Sequence, residues 1–172
     1  MQNKTVVILV NTGSPSAPTA AALKPYLRDF LSDPRIIELP RWFWLPILNG
    51  IILRKRPAQS AQRYQKIWMP EGSPLIVHTD RLTHKLNARF DESVRVDYAM
   101  RVGYPSVDKV IEKWQEKGVE DFIIFPMFAQ YATQTVESVM DAVRDWEKRT
   151  KRPFRYKVIE PFYNQSGFIQ AL

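Results

Sequence analysis

Near the start of the chain, Val6 to Val10 run as five apolar residues without a polar break, and four of the five are β-branched. β-Branching favours an extended strand, and a strand apolar on both faces belongs inside a covered, usually parallel sheet. The run stops at Asn11-Thr12-Gly13-Ser14-Pro15. Gly13 permits a turn that other residues resist, and Pro15 blocks further pairing. Beyond it Leu23, Tyr26, Leu27, Phe30 and Leu31 follow the spacing of an amphipathic helix. Pro25 opens or kinks that helix, and Ser32-Asp33-Pro34 ends it. Ile36 to Pro40 reads as a short extended connection.

The stretch Arg41–Pro57 is apolar almost all round until Arg54-Lys55-Arg56, and Pro46 and Gly50 interrupt it. Its apolar part, about twelve residues, falls short of the roughly twenty that span a bilayer. Two readings stand. Apolar surface with Trp beside basic residues suits a membrane interface or the lip of an apolar pocket. A buried helix with a basic last turn fits equally. Pro57 then starts a helix reaching Trp68, with Ala61, Tyr64 and Trp68 on one face. Met69 to Pro74 is a loop by its turn residues. Thr79 caps the next helix, which carries Leu82, Leu86 and Phe90.

The remainder repeats strand then helix. Val94–Met100 is the second strand, followed by the turn Gly103-Tyr104-Pro105. Ser106 caps a helix with Val107, Val110, Ile111 and Trp114 inward, and Gly118 ends it. Asp121–Met127 is the third strand, Val136 to Val143 marks a helix, and Phe154–Ile159 is the fourth strand. Residues 166–172 begin another helix. Alternation of this kind predicts an α/β fold, a four-stranded parallel sheet flanked by helices. Its ligand rim would gather the loops 11–15, 101–105, 128–135 and 160–165 at the strand carboxyl ends. Residues 1–165 form the expected domain, with 41–56 inserted in it.

Composition narrows the chemistry. With 172 residues, 45% hydrophobic and 25% charged, the chain can bury a sizeable core. It has no cysteine, which excludes disulfides and thiolate metal sites. Its two histidines, His78 and His84, are spaced poorly for one metal on a helix face and read as surface residues; no metal site is expected. A net charge of +7 suits an anionic partner. Nucleic acid is not expected, because no RNP-like or zinc-knuckle pattern accompanies the charge. The N-terminus lacks the features of a signal peptide, so a cytoplasmic location is expected. No GxGxxG, P-loop, GxSxG or HExxH motif is present. What remains is a binding rim that includes Thr12, Gln130 and Tyr131 from loops, with Arg56, Arg63, Tyr64 and Ser73 from the helices between. Aromatic walls and a few cations suit a large flat apolar ligand bearing carboxylates.

Several segments together resemble the N-terminal half of ferrochelatase. They are Asn11-Thr12-Gly13-Ser14-Pro15, the run from Tyr26 to Arg35 (YLRDFLSDPR), Arg63-Tyr64-x-x-Ile67-Trp68, Gly72-Ser73-Pro74-Leu75, the run from Ala99 to Ser106 (AMRVGYPS), and Gln130-Tyr131. The resemblance covers nearly the whole chain. It implies a Rossmann-like sheet forming one of two similar chelatase domains, with a porphyrin in the cleft between them. The implied activity is that of a lyase of haem biosynthesis, which inserts ferrous iron into a porphyrin. Iron and porphyrin are then substrates, and no tightly bound cofactor is implied.

On this resemblance Thr12, Arg56, Arg63, Tyr64, Ser73 and Tyr131 line or border the pocket, and Gln130 is matched beside Tyr131. Arg56 and Arg63 meet propionates or neighbouring carboxylates. The stretch 41–56 corresponds to a lip that touches membranes in some members, which adds the inner face of a membrane as a peripheral location. The loop Ala129-Gln130-Tyr131-Ala132 departs from the family's Pro-Gln-Tyr-Ser. The family's catalytic histidine and glutamate lie in the second domain, so no catalytic residue is expected before Leu172. The expected partners are the missing C-terminal domain, porphyrin, and further copies through the apolar face left open. The other readings are a non-enzymatic porphyrin or haem carrier and a chelatase for another tetrapyrrole.

Overall fold

The apolar run at the N-terminus is the strand β1, Thr5–Gly13. The structure is a computed structural model that describes residues 4–152 and 154–172. Three further strands follow: β2, Val94–Val102; β3, Asp121–Pro126; and β4, Arg155–Val158. They form one parallel sheet in the order β2-β1-β3-β4. β1 pairs with β3 from Thr5↔Asp121 to Val10↔Pro126, and β3 pairs with β4 from Asp121↔Arg155 to Ile124↔Val158. The α/β expectation and the number of strands are therefore met.

Alternate residues divide this sheet into two faces. Val6, Ile8 and Val10 of β1 and Phe122 and Ile124 of β3 turn to one side and are buried. There they meet Val107, Val110 and Ile111 of α5, Val107–Gln115, and Val139, Met140, Val143 and Trp146 of α6, Ser138–Thr150. A short π-helical segment, Thr133–Glu137, leads into α6. Phe154 closes this core, its ring 5.0 Å from those of Phe122 and Trp146. A last short helix, α7, covers Ser166–Gln170.

Before β2 the chain is helical. α1 spans Ala20–Leu31, α2 Arg41–Ile47, α3 Leu53–Gln65 and α4 Pro74–Asn87, with a π-helical segment, Leu48–Ile52, joining α2 to α3. Leu23, Leu27 and Leu31 of α1 pack with Leu48, Leu53 and Ala61 as a second core. The chain divides into two compact units. One contains the strands up to Thr12, Thr79–Arg101 and Pro105–Leu172; the other contains Gly13–His78 and Val102–Tyr104.

Three local expectations are corrected. Thr79 does not cap a helix: α4 begins at Pro74, and Thr79 lies buried within it, its carbonyl accepting from the Thr83 hydroxyl at 2.9 Å. Ser73-Pro74 supplies the start, with proline at the first helical position where its missing N–H costs nothing. Phe90 then lies beyond the end of that helix. Pro57 does not open a helix either. It is buried inside α3, and Gly50 and Pro46 lie within helical segments that follow one another without a break. Pro25, read as opening or kinking its helix, does not open it: α1 begins at Ala20 and is capped by Thr19, whose side chain accepts from the Ala22 N–H at 3.3 Å.

Candidate functional site

At the carboxyl edge of the sheet, the ladder between β1 and β3 ends with the Met127 N–H donating to the Val10 carbonyl at 2.8 Å. Asn11 is held by its own turn. Its side-chain oxygen accepts from the Thr12 N–H at 2.8 Å, while its amide donates to the Thr79 hydroxyl at 3.4 Å. Thr12 is half-buried here, and Gln130 and Tyr131 are exposed in the loop after β3. That loop is tied to the one after β4, because the Tyr163 N–H donates to the Ala129 carbonyl at 2.9 Å. The parallel sheet thus brings Thr12, Gln130 and Tyr131 to one edge, where open α/β sheets bind ligands. Arg101, at the end of β2, donates through Nε to both the carbonyl and the hydroxyl of Ser138, each at 2.7 Å. It serves the loop as an anchor.

Arg56, Arg63, Tyr64 and Ser73 belong to the helical unit. Arg56 and Arg63 stand two turns apart on α3, both exposed, with Arg54 and Lys55 beside the first. Exposed guanidinium groups are free to take carboxylates bidentately. Tyr64 is half-buried, its ring edge-on to Trp68 at 6.1 Å. Ser73 is buried after a tight turn in which Met69 and Gly72 exchange backbone hydrogen bonds of 3.0 Å.

A residue that the sequence pattern assigned only to packing adds to this cluster. The Tyr26 hydroxyl of α1 donates to the Gly13 carbonyl at 3.3 Å. Burial, and then the neighbouring Tyr64, push its pKa well above the usual phenol range. Tyr26 is accordingly a neutral donor linking α1 to the turn after β1. The same turn makes a close backbone approach: a Cβ at Gly103, φ +102°, would sit 2.9 Å from the Ser14 carbonyl oxygen. The Ser14 hydroxyl is buried without a hydrogen-bond partner among the described residues.

The stretch 41–56 has a buried side and an exposed side. Trp44 turns inward, donating from Nε1 to the Leu31 carbonyl at 2.7 Å, and Leu48 and Leu53 are core residues. Trp42, Phe43 and Ile51 face out, with Trp42 80% exposed. Among the described residues no helix is long and apolar enough to cross a membrane.

Both histidines are exposed on α4, as expected, with His84 Nε2 lying 3.5 Å from Asp80 Oδ2. No group of three or more His, Asp or Glu among the described residues is arranged to hold a metal ion. The helical unit presents exposed cations and aromatic rings, and the sheet edge presents hydroxyls and an amide.

Comparison with known proteins gives a consistent answer. Residues 4–172 match the family model described as Ferrochelatase. The ferrochelatase of Azoarcus sp. (strain BH72) is 46% identical over 171 residues, 98% of this chain and 47% of that relative. That of Chromobacterium violaceum is 45% identical over 173 residues, again 98% of this chain and 48% of the relative. That of Neisseria meningitidis serogroup C is 40% identical over 171 residues, 99% of this chain and 51% of the relative. The chain spans about half the length of the curated relatives it matches.

Proposed function

The chain belongs to the ferrochelatase family, and from that premise we propose that it is the N-terminal half of a lyase that inserts ferrous iron into a porphyrin. The match of residues 4–172 to the family model carries this reading. Metallation replaces two pyrrole N–H protons by Fe2+, so two protons must leave as the metal enters. A base has to accept them. Exposed His78 and His84, on a surface helix, are poorly placed for that work. The base and the group that hands over the metal are assigned to the second half.

This chain's own part is to hold the ring. Arg56 and Arg63 receive the propionates, and the polar hydroxyls of Thr12, Ser73, Tyr64 and Tyr131 and the amide of Gln130 set its orientation. A wall that fixes the ring edge lets remote binding energy favour a distorted, metal-accepting ring. The outward residues Trp42, Phe43 and Ile51, beside Arg54, Lys55 and Arg56, support a second element of the proposal: this segment rests at the surface of an anionic membrane.

The test joins this chain to the remaining half of the Azoarcus relative in one polypeptide and assays haem formation from ferrous iron and a porphyrin dicarboxylate without oxygen. The joined protein should form haem. Arg56→Ala or Arg63→Ala should weaken porphyrin binding about tenfold, the worth of a charge-assisted hydrogen bond. A folded joined protein that neither binds nor metallates porphyrin would sink the reading.

A further inference from the structure

The two faces of the sheet are unequally covered. The register places Val6, Phe122 and Tyr156 in one row and Ile8, Ile124 and Val158 in the next, all on the face packed by α5 and α6. The alternate rows, Thr5–Asp121–Arg155 and Val7–Ile123–Lys157, turn the other way. There an open cavity of about 370 Å³ is lined by Thr5, Asp121, Phe122, Ile123, Arg155, Tyr156 and Lys157, residues of strands alone. Among the described residues no helix residue lines it. Parallel sheets are ordinarily covered by helices on both faces. Here the connections β2-α5-β3 and β3-α6-β4 both run over the same side.

We propose that this face, along Val7, Ile123 and Lys157, receives an amphipathic helix from the second half of the full-length protein. The proposal rests on the family reading above, since the curated relatives are about twice as long as this chain. Two features favour a helix on the face over a strand at the edge. β4 is a short edge strand of four residues with exposed Arg155 and Lys157, charges that resist pairing with another strand. The Asp121 carboxylate also grips Arg155 at 2.7 and 3.0 Å, closing one end of the groove with a bidentate pair. Residues 162 and 168 also pack on this side. Phe125, two residues past Ile123 and on the same face, meets Phe162 edge-on at 5.5 Å, and Phe162 meets Phe168 of α7 at 5.2 Å. The docked helix has an apolar stripe over Val7 and Ile123 and an acidic flank toward Lys157. This surface is separate from the carboxyl-edge residues Thr12, Gln130 and Tyr131.

The absence of cysteine gives a direct probe. Single variants Ile123→Cys and Lys157→Cys, with Lys109→Cys at an exposed position of α5 as control, would be made in this chain and in the joined protein. Maleimide labelling rates would then be compared. Joining the second half should slow labelling at Ile123→Cys and Lys157→Cys about tenfold or more, because a thiol beneath a docked helix reacts only when it opens, and leave Lys109→Cys unchanged. Haem formation by the same joined protein separates the two readings. Active protein with unprotected thiols overturns the docking and leaves the function standing; protected thiols without activity do the reverse. Protection already present in this chain, rising with its concentration, makes a second copy the occupant and overturns the proposal.

Discussion

Gly103 occupies a place where a side chain meets backbone. Its φ of +102° and the 2.9 Å from a built Cβ to the Ser14 carbonyl oxygen mean that Gly103→Ala must move one strand-end turn away from another. The expected loss is about 1–3 kcal/mol, the range for a side chain forced into such backbone, read from urea unfolding. Tyr26 makes a pH-dependent contribution. Burial first, then Tyr64, raises its pKa, so the folded protein holds the phenol proton more tightly than the unfolded chain. That stability is fully present below the unfolded value, about 10, and is lost as pH rises past it toward the folded pKa. Stability should therefore fall on the alkaline side, and Tyr26→Phe should flatten that fall while costing about 1 kcal/mol at neutral pH for the lost hydrogen bond. An alkaline limb unchanged in Tyr26→Phe would refute this account. Nothing in the helical spacing of Tyr26 announces its hydroxyl's partner, because Gly13 lies on another element. Spacing reports which face a residue shares; it does not report what its polar tip meets.

Among the elements, α1 shows how much periodicity conveys. Its Leu23, Leu27 and Leu31 recur at helical spacing and form its buried face in the helical core. Leu23 is fully buried, so Leu23→Ala should cost about 2–5 kcal/mol through lost transfer energy and an unfilled cavity. A thermal or urea unfolding curve checks it. The start of α4 is ambiguous in sequence because Thr79 and Ser73 are both acceptable caps, and only the proline after Ser73 distinguishes them. The run 41–56 resisted a single reading for a better reason: its helical segments bury Trp44, Leu48 and Leu53 while exposing Trp42, Phe43 and Ile51. An all-round apolar pattern carries no face information. The outward set can be altered without touching the core. Trp42→Ser with Phe43→Ser should leave stability within about 0.5 kcal/mol, as expected of exposed sites. It should reduce binding to vesicles containing anionic lipid, measured by co-sedimentation. Equal binding by the double variant would remove the membrane from the account of this segment.

For the whole molecule, the sheet is readable because β1 and β3 write apolar runs bounded by turn residues, and the crossover rule leaves few topologies for alternating strands and helices. The candidate residues divide between the two units: Arg56 and Arg63 share a helix, as their spacing suggests, but Thr12 and Tyr131 reach a common edge through the pairing of β1 with β3, which no local pattern reveals. What the molecule does as a unit follows from what it would have to accept. On the proposed function iron insertion releases two protons, and both histidines of this chain lie exposed on α4. This chain by itself should bind porphyrin dicarboxylate weakly and form no haem. In its source cells, an antibody raised against it should detect a protein of about twice 20.1 kDa, since the relatives are about twice as long. A band at that size would support the reading of this chain as half of a longer polypeptide. A band near 20 kDa together with retained porphyrin binding would instead make the chain a carrier, whose Arg56 and Arg63 hold a ligand that is handed on unchanged. Haem formation by the purified chain would contradict both, and would send the search for the base back to groups on this sheet's carboxyl edge.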